Sequence, residues 1–434
     1  MAQTYLTNTN PTAGNRTKGT ISVWVKRSGL SSNQHIYTEF NDGNNFGALR
    51  FNSNDSLGFF SYNSGSAQID INTNRRFRDT NGWYHIVVAW DTTDGTSTDR
   101  VKIYINGVRE TSFSGSPTYP SSSQNLMFSQ GSTYYPIVIG RRGDNAEYFD
   151  GSMSHFHRVD NQQLAQTVFG ETDSTTGEWK IKTSPSITYT GSSDFNFFVL
   201  KDGNSVTDQS GQGNNLTVGY GTLSKTEDCP SNIFCTANPL SSGNSEAFNG
   251  NTNIFFDDTG QWRAMYSTLG ASSGKYYMEA KVDAVGGEAS IGVIPADRAS
   301  LNQDTGDYLG KETDSIGYLN NGRIFKSNSQ LETGLASMSS GTIVGISLNL
   351  DANTVQFYNN DSAVGSAVSL NADTTYLFGF SGYSDTRFYA NFGNGYFHTT
   401  AVSSAGTNAS GNGIFEYDVK PSDATALSTK GLNL

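Results

Sequence analysis

The chain has 434 residues, enough for two or three domains, and is 35% hydrophobic with 47 Gly, 26 Phe and 22 Tyr. That mixture suits short strands and polar turns, and it excludes long amphipathic helices, which need Leu, Ala, Glu and Lys at 3.6-residue spacing. A net charge of −12 excludes the basic face of a nucleic-acid reader, and no apolar run approaches the roughly 20 residues that span a bilayer.

The first strands are expected at residues 20–26, 47–51 and 57–62. The segment WYHIVVAWDTTDGTSTDRVKIYINGVR (83–109) then carries two alternating strands, 83–91 and 101–105. Trp83, His85, Val87 and Ala89 share one face, and Tyr84, Ile86, Val88 and Trp90 share the other. Asn106-Gly107 supplies the positive φ angles of a tight hairpin. Strands at 137–140, 151–159 and 195–200 complete a first sandwich, expected over 1–222. Residues 223–248 concentrate Pro and small polar residues and read as a linker. Strands resume at 274–282, 289–294, 315–319, 343–350, 355–358, 376–380 and 387–392, giving a second sandwich over 249–398. The Ser/Ala/Gly/Asn-rich end, 399–434, reads as an extended arm. The fold class is therefore all-β, with two antiparallel β-sandwich (jelly-roll) domains in tandem.

Little of the sequence reads as catalytic. The paired carboxylates of β-sandwich glucanases are absent, with Glu246, Glu279 and Glu288 in separate contexts, and no Gly-x-Ser-x-Gly, Walker or His-Glu-x-x-His motif occurs. His155 and His157 sit two apart on one expected strand face with no third metal ligand nearby, so a structural role is expected. The polar loop 202–215 offers Asp202, Asn204 and Asp208 as weak calcium candidates, although Asx residues form such turns without an ion. No cofactor is expected beyond that possible calcium. Arg142-Gly143-Asp144 reads as a turn rather than an adhesion signal. Cys229 and Cys235 fit neither zinc nor redox spacing and are expected as free thiols, with a short-loop disulfide as the alternative. The polar start MAQTYLTNTN does not read as a secretion signal. Tyr134, Tyr135, Tyr383 and Tyr396 fall in turn-rich segments and are the candidate ligand-binding residues, because exposed aromatic faces stack on sugars and anchor interfaces.

The first half resembles the concanavalin A-like, laminin-G/pentraxin-type jelly roll. The resemblance runs through ISVWVKR (21–27), WYH (83–85), RVKIYINGV (100–108), Ile139-Gly140 and FDG (149–151), over about residues 15–220. The second half is similar to a SPRY-type sandwich through GKYYME (274–279), SIGV (290–293), SIGY (315–318), GTIVGISLNLDANTVQFYN (341–359) and NFG (391–393). SPRY domains are mostly protein-interaction scaffolds whose loops bind the partner. The pair, joined through DCPSN (228–232) and NPL (238–240), resembles structural proteins of tailed bacteriophages. That resemblance implies a non-enzymatic virion surface protein, a tail or capsid fibre, made in the host cytoplasm. Its implied partners are other virion proteins, further copies of the chain, and a host surface glycan or receptor, with no nucleic acid and no membrane insertion. The alternatives are a decoration protein that only stabilises the particle and a polysaccharide-degrading enzyme.

Overall fold

The structure is a computed structural model that describes residues 3–201, 205–241, 245–257, 260–299 and 308–433. The chain divides into two compact units, 1–225 and 226–434. Among the described residues the fold is built from β-strands, with only single-turn 3₁₀ segments between them.

The first unit contains β1 (Tyr5–Asn8), β2 (Lys18–Arg27), β3 (Gln34–Asp42), β4 (Asn45–Phe51), β5 (Ser56–Asn63), β6 (Ser66–Arg76), β7 (Tyr84–Asp91) and β8 (Val101–Ile105). It continues with β9 (Val108–Arg109), β10 (Ile137–Ile139), β11 (Gly151–Asp160), β12 (Gly170–Thr172), β13 (Trp179–Ile181), β14 (Phe197–Val199) and β15 (Thr217–Tyr220). A seven-stranded sheet, β15-β1-β10-β3-β4-β5-β6, faces a six-stranded sheet, β14-β11-β2-β7-β8-β9. The core between them takes alternate residues from each: Val23 and Val25 of β2, Ile86, Val88 and Trp90 of β7, Leu49 of β4 and Phe59 of β5. The other face of β7 is also buried, because Phe169, Leu164, Ile187 and Tyr189 cover Val87 and Val159. The β8–β9 hairpin turns at Asn106 (φ 46°) and Gly107 (φ 80°), as its dipeptide requires. A side chain at Gly107 would stand 2.3 Å from the Trp179 ring.

Two charged clusters cross this sandwich. Glu39 of β3 and Arg158 of β11 are both fully buried, 3.9 Å apart. Tyr37 donates to Glu39 at 2.8 Å, and Arg158 donates to Ser129 Oγ at 2.6 Å and lies between the rings of Trp90 and Phe195. Burial pushes the Glu39 carboxyl up to about 7, against the pull of Arg158 and of the Tyr37, Ser129 and Gln130 donors. Arg27 of β2 pairs with buried Asp55, which also accepts from Arg78. The unit is closed by its own ends: β1 pairs with β15, and Thr4 donates to the Thr222 carbonyl.

The second unit contains β16 (Ser245–Phe248), β17 (Asn253–Phe256), β18 (Arg263–Ala271), β19 (Lys275–Ala284), β20 (Ala289–Pro295), β21 (Ile316–Leu319), β22 (Arg323–Lys326) and β23 (Ser329–Glu332). It ends with β24 (Ile343–Asn349), β25 (Thr354–Asn359), β26 (Ser362–Ser369), β27 (Tyr376–Gly382), β28 (Thr386–Asn391), β29 (Tyr396–Phe397), β30 (Thr400–Ala401) and β31 (Thr425–Ala426). The sheet β16-β17-β28-β19-β24-β25-β26 faces β18-β27-β20-β21-β22-β23. Met278, Ile291, Val344, Ile346, Phe378 and Phe380 meet in the core between them.

Two sequence expectations change here. The boundary falls at 225/226, and most of the expected linker 223–248 belongs to the second unit, with Phe234, Cys235 and Ala237 buried. The expected arm, 399–434, packs against that unit: β31 pairs in parallel with β19, and Phe415, Val419, Ala424 and Ala426 bury against Phe234 and Tyr277. The reason is Glu279. Buried on β19, it accepts the Glu416 and Tyr417 backbone N–H groups at 2.7 and 2.9 Å, so it needs the C-terminal segment to satisfy it. The two segments also pair with each other, through Phe234 with Ser428 and Ile233 with Thr429. Both cysteines are free thiols, Cys235 buried and Cys229 partly exposed.

Candidate functional site

Strand register in the second unit sets three side chains side by side at one end of the six-stranded sheet. Gly382 of β27 pairs with Arg263 of β18 on one side and with Ala289 of β20 on the other. Trp262, Tyr383 and Glu288 are the next residues outward in those three adjacent lanes. Leu309 crosses the same sheet, accepting from Ser290 Oγ at 2.9 Å and taking Ser381 Oγ as acceptor for its N–H at 3.1 Å. That crossing delivers Tyr308 to the group. The Trp262 and Tyr308 rings lie 4.9 Å apart, Tyr383 meets Trp262 edge-on at 5.2 Å, and Phe325 of β22 meets Tyr308 edge-on at 5.9 Å. All four rings are half-buried.

The turn that carries Tyr383 is tight, with Ser384 and Asp385 both left-handed (φ 52° and 64°). The preceding loop lies flush against it. A Cβ at Gly287 would stand 2.4 Å from the Tyr383 ring, so only glycine leaves room there. Burial raises the Tyr308 phenol; Lys311 opposes that rise and Glu288 adds to it.

In the first unit His35, His85 and His157 are buried, and His155 is half-buried. Trp179 donates its indole N–H to His85 Nδ1 at 2.9 Å, and Ser22 Oγ lies 2.9 Å from His85 Nε2. An indole nitrogen only donates, so Nδ1 is the acceptor, Nε2 carries the proton, and His85 donates to Ser22. This Ser–His contact is thus the wrong way round for a base that takes a hydroxyl proton. Trp24 stacks on His85 at 4.7 Å, and burial pushes its imidazole down to about 3. His155 (φ 49°) forms a bulge in β11. His157 stacks on Phe198 at 3.8 Å and bonds Tyr189 at 2.9 Å, and burial holds it well below the usual imidazole range. No group of three metal-ligating side chains stands together among the described residues.

The tyrosines proposed from sequence are shared between the two units. Tyr134 is 70% exposed and Tyr135 half-buried, both in the first unit. In the second, Tyr396 lies in the short β29–β30 hairpin and Tyr383 joins the aromatic group. Trp262, Tyr308 and Phe325 were not anticipated. Asp208 has both carboxylate oxygens occupied: Oδ1 accepts from the Phe198 and Ser210 N–H groups, and Oδ2 from Ser210 Oγ and the Asn214 N–H. It organises the turn itself. Asp202 and Asn204 lie outside the described residues. Arg142 folds back on Asp144 at 2.7 and 2.8 Å and on Glu147 at 2.9 Å, so the tripeptide's charges neutralise each other.

Residues 2–169 match the concanavalin A-like lectin/glucanases superfamily in its laminin G form, and residues 275–395 match the SPRY domain. The chain carries a concanavalin A-like domain followed by a SPRY domain. Over about a third of its length it is similar to a human SPRY domain (14% identity, 34% of this chain and 95% of that one, TM-score 0.27). It is also similar to the SPRY domain of human HERC1 (16%, 36% and 96%, 0.28) and to stonustoxin (17%, 36% and 27%, 0.31). No curated protein matches the sequence. The SPRY match leaves out β16–β18 and β31, which complete that domain's sheets here. Domains of these two kinds are generally binding modules, and the pair fits a carbohydrate- or protein-binding β-sandwich protein. The concanavalin A-like superfamily also includes glucanases.

Proposed function

We propose that the chain is a non-enzymatic binding component of a bacteriophage particle, a tail or capsid appendage at the virion surface. It assembles with other virion proteins and further copies of itself, and engages a host surface glycan or receptor through the loops of its sandwiches. The observation that carries the binding role is the half-buried aromatic group Trp262–Tyr308–Tyr383 at the end of the SPRY sheet. Aromatic rings packed against one another at strand ends lose little conformational freedom when a ligand docks. Many copies on one particle would turn weak contacts into firm attachment. The virion assignment rests on the order of the two domains and the junction between them.

The test has two arms. Mass spectrometry of purified virions is expected to find the chain, and its absence overturns the virion role. Labelled full-length protein is expected to bind host cells, and Trp262→Ala with Tyr383→Ala to weaken that binding at least tenfold, about the 1.4 kcal/mol that two lost aromatic contacts supply. Unchanged binding rejects the site. Particles that fall apart without the protein yet adsorb normally indicate a purely stabilising decoration.

A further inference from the structure

We infer that the aromatic end of the SPRY domain receives a positively charged segment of a partner protein, a Lys or Arg side chain laid on the Trp262–Tyr383 rings with Glu288 and Asp385 as its counter-charges. This rests on the binding role proposed above and names the partner's chemistry.

The first ground is the distribution of charge. Residues 1–225 hold 18 Lys and Arg against 19 Asp and Glu, a net −1, while residues 226–434 hold 10 against 21, a net −11. Nearly all the chain's negative charge therefore belongs to the SPRY half. A field of that sign attracts cations and repels acidic or phosphorylated partners.

The second ground is a pair of carboxylates beside the rings that have no cation of their own. Some acidic residues of this unit have partners, Asp283 with Arg387, Asp361 with Lys420 and Asp423 with Lys275, whereas others among the described residues, such as Glu246 and Asp314, stand unpaired away from the rings. Glu288 stands in the lane beside Tyr383, one residue outward from Ala289, and acts on Tyr308. Asp385 sits in the turn that carries Tyr383, where the Ser384 backbone and the Asp385 Cβ lie against Gly286. Among the described residues neither Glu288 nor Asp385 makes an ion pair or a side-chain hydrogen bond. Lys311 also acts on Tyr308, so the incoming charge takes the Trp262–Tyr383 side of the group.

The third ground is the rings themselves. An aromatic face carries a negative quadrupole, so a cation gains from the rings and the carboxylates together, whereas a neutral ligand gains only from the rings. Lys or Arg on a flexible segment reaches such a shallow seat without needing a deep pocket.

The probe is a random dodecapeptide display library selected on the full-length protein, with the Trp262→Ala variant used to remove peptides that bind elsewhere. Selected peptides are expected to be enriched severalfold in Lys and Arg. Replacing the anchoring Arg by citrulline, or acetylating the Lys, is expected to weaken binding about fivefold or more. Glu288→Gln and Asp385→Asn are each expected to weaken it similarly, and both together to remove most of its salt dependence, while the melting temperature stays unchanged. Peptides without cationic enrichment, equal binding of the citrulline form, or tight binding that survives the double carboxylate variant overturns the inference. So does a preference for a polyglucosamine over every peptide, which would make the ligand a glycan. If host-cell binding needs Trp262 but not Glu288 and Asp385, the binding role stands and the cationic partner falls. If it does not need Trp262, the role itself falls.

Discussion

Replacing Arg158 by Met tests the account of the first sandwich most sharply. The guanidinium is buried between Trp90 (4.7 Å) and Phe195 (5.4 Å), donates to Ser129 Oγ and the Val159 carbonyl, and is the cation facing Glu39 across the core. Met fills much of the same volume but leaves Glu39 without a counter-charge. Breaking a buried pair from one side costs about 3–5 kcal/mol. For a unit of this size each kcal/mol moves the midpoint by about 2–4 °C, so the first unit should melt roughly 10 °C lower.

The sign with pH is fixed by Glu39, whose carboxyl is already raised to about 7 by burial. A raised folded-state value stabilises at acid pH, below the unfolded carboxyl range, and that contribution is lost as pH rises through the folded value. Without Arg158 the carboxyl climbs further, so the variant's deficit should be smallest near pH 5 and should widen above pH 7. Adding Glu39→Gln to Arg158→Met removes the stranded charge and should restore about 2 kcal/mol. Calorimetry reads all of this, with the second unit's transition as an internal reference. A midpoint shift below about 2 °C, or a double variant less stable than the single at pH 8, would refute the reasoning.

Two further outcomes follow from other buried groups. Glu279 is likewise raised to about 7 by burial, so the second unit should lose about 3 kcal/mol as pH rises from 4.5 through 7; Glu279→Gln should flatten that dependence in denaturant titrations at pH 5 and 8, and an unchanged slope counts against the assignment. His85 should remain the neutral Nε2–H tautomer from pH 8 down to 4 in nitrogen-detected NMR, since burial holds it at about 3, and a titration near 6.5 would mean that the Trp179 and Ser22 contacts are not made.

The strands with clean alternation were legible from sequence. β7 reads apolar at every second residue, and Asn106-Gly107 marks the β8–β9 hairpin unaided. β3 was not legible, because its inward positions include Glu39, and a charged residue there looks like a loop until Arg158 arrives from 119 positions away on the facing sheet. The C-terminal segment looked free because its own residues are small; its anchor, Glu279, is 137 residues upstream of the first amide it binds. The aromatic site was hidden for a related reason. Trp262, Tyr308 and Tyr383 come from three separate connections, and only the pairing of β18, β27 and β20 brings them level. Tyr383 could be nominated as a turn aromatic, but no spacing in the sequence predicts its neighbours.

Each sandwich is fastened by its first and last segments, Thr4 to Thr222 in one and Ile233 to Thr429 in the other, 218 and 196 residues apart. During synthesis neither can close until its final strand has left the ribosome. At about 5–20 residues per second, that leaves each half-built unit with an open edge for roughly 10–40 s. The two waits come one after the other, so the first unit can be sealed before the second is long enough to compete for its edges. Translation order thereby keeps two similar all-β halves from pairing with each other's unfinished sheets.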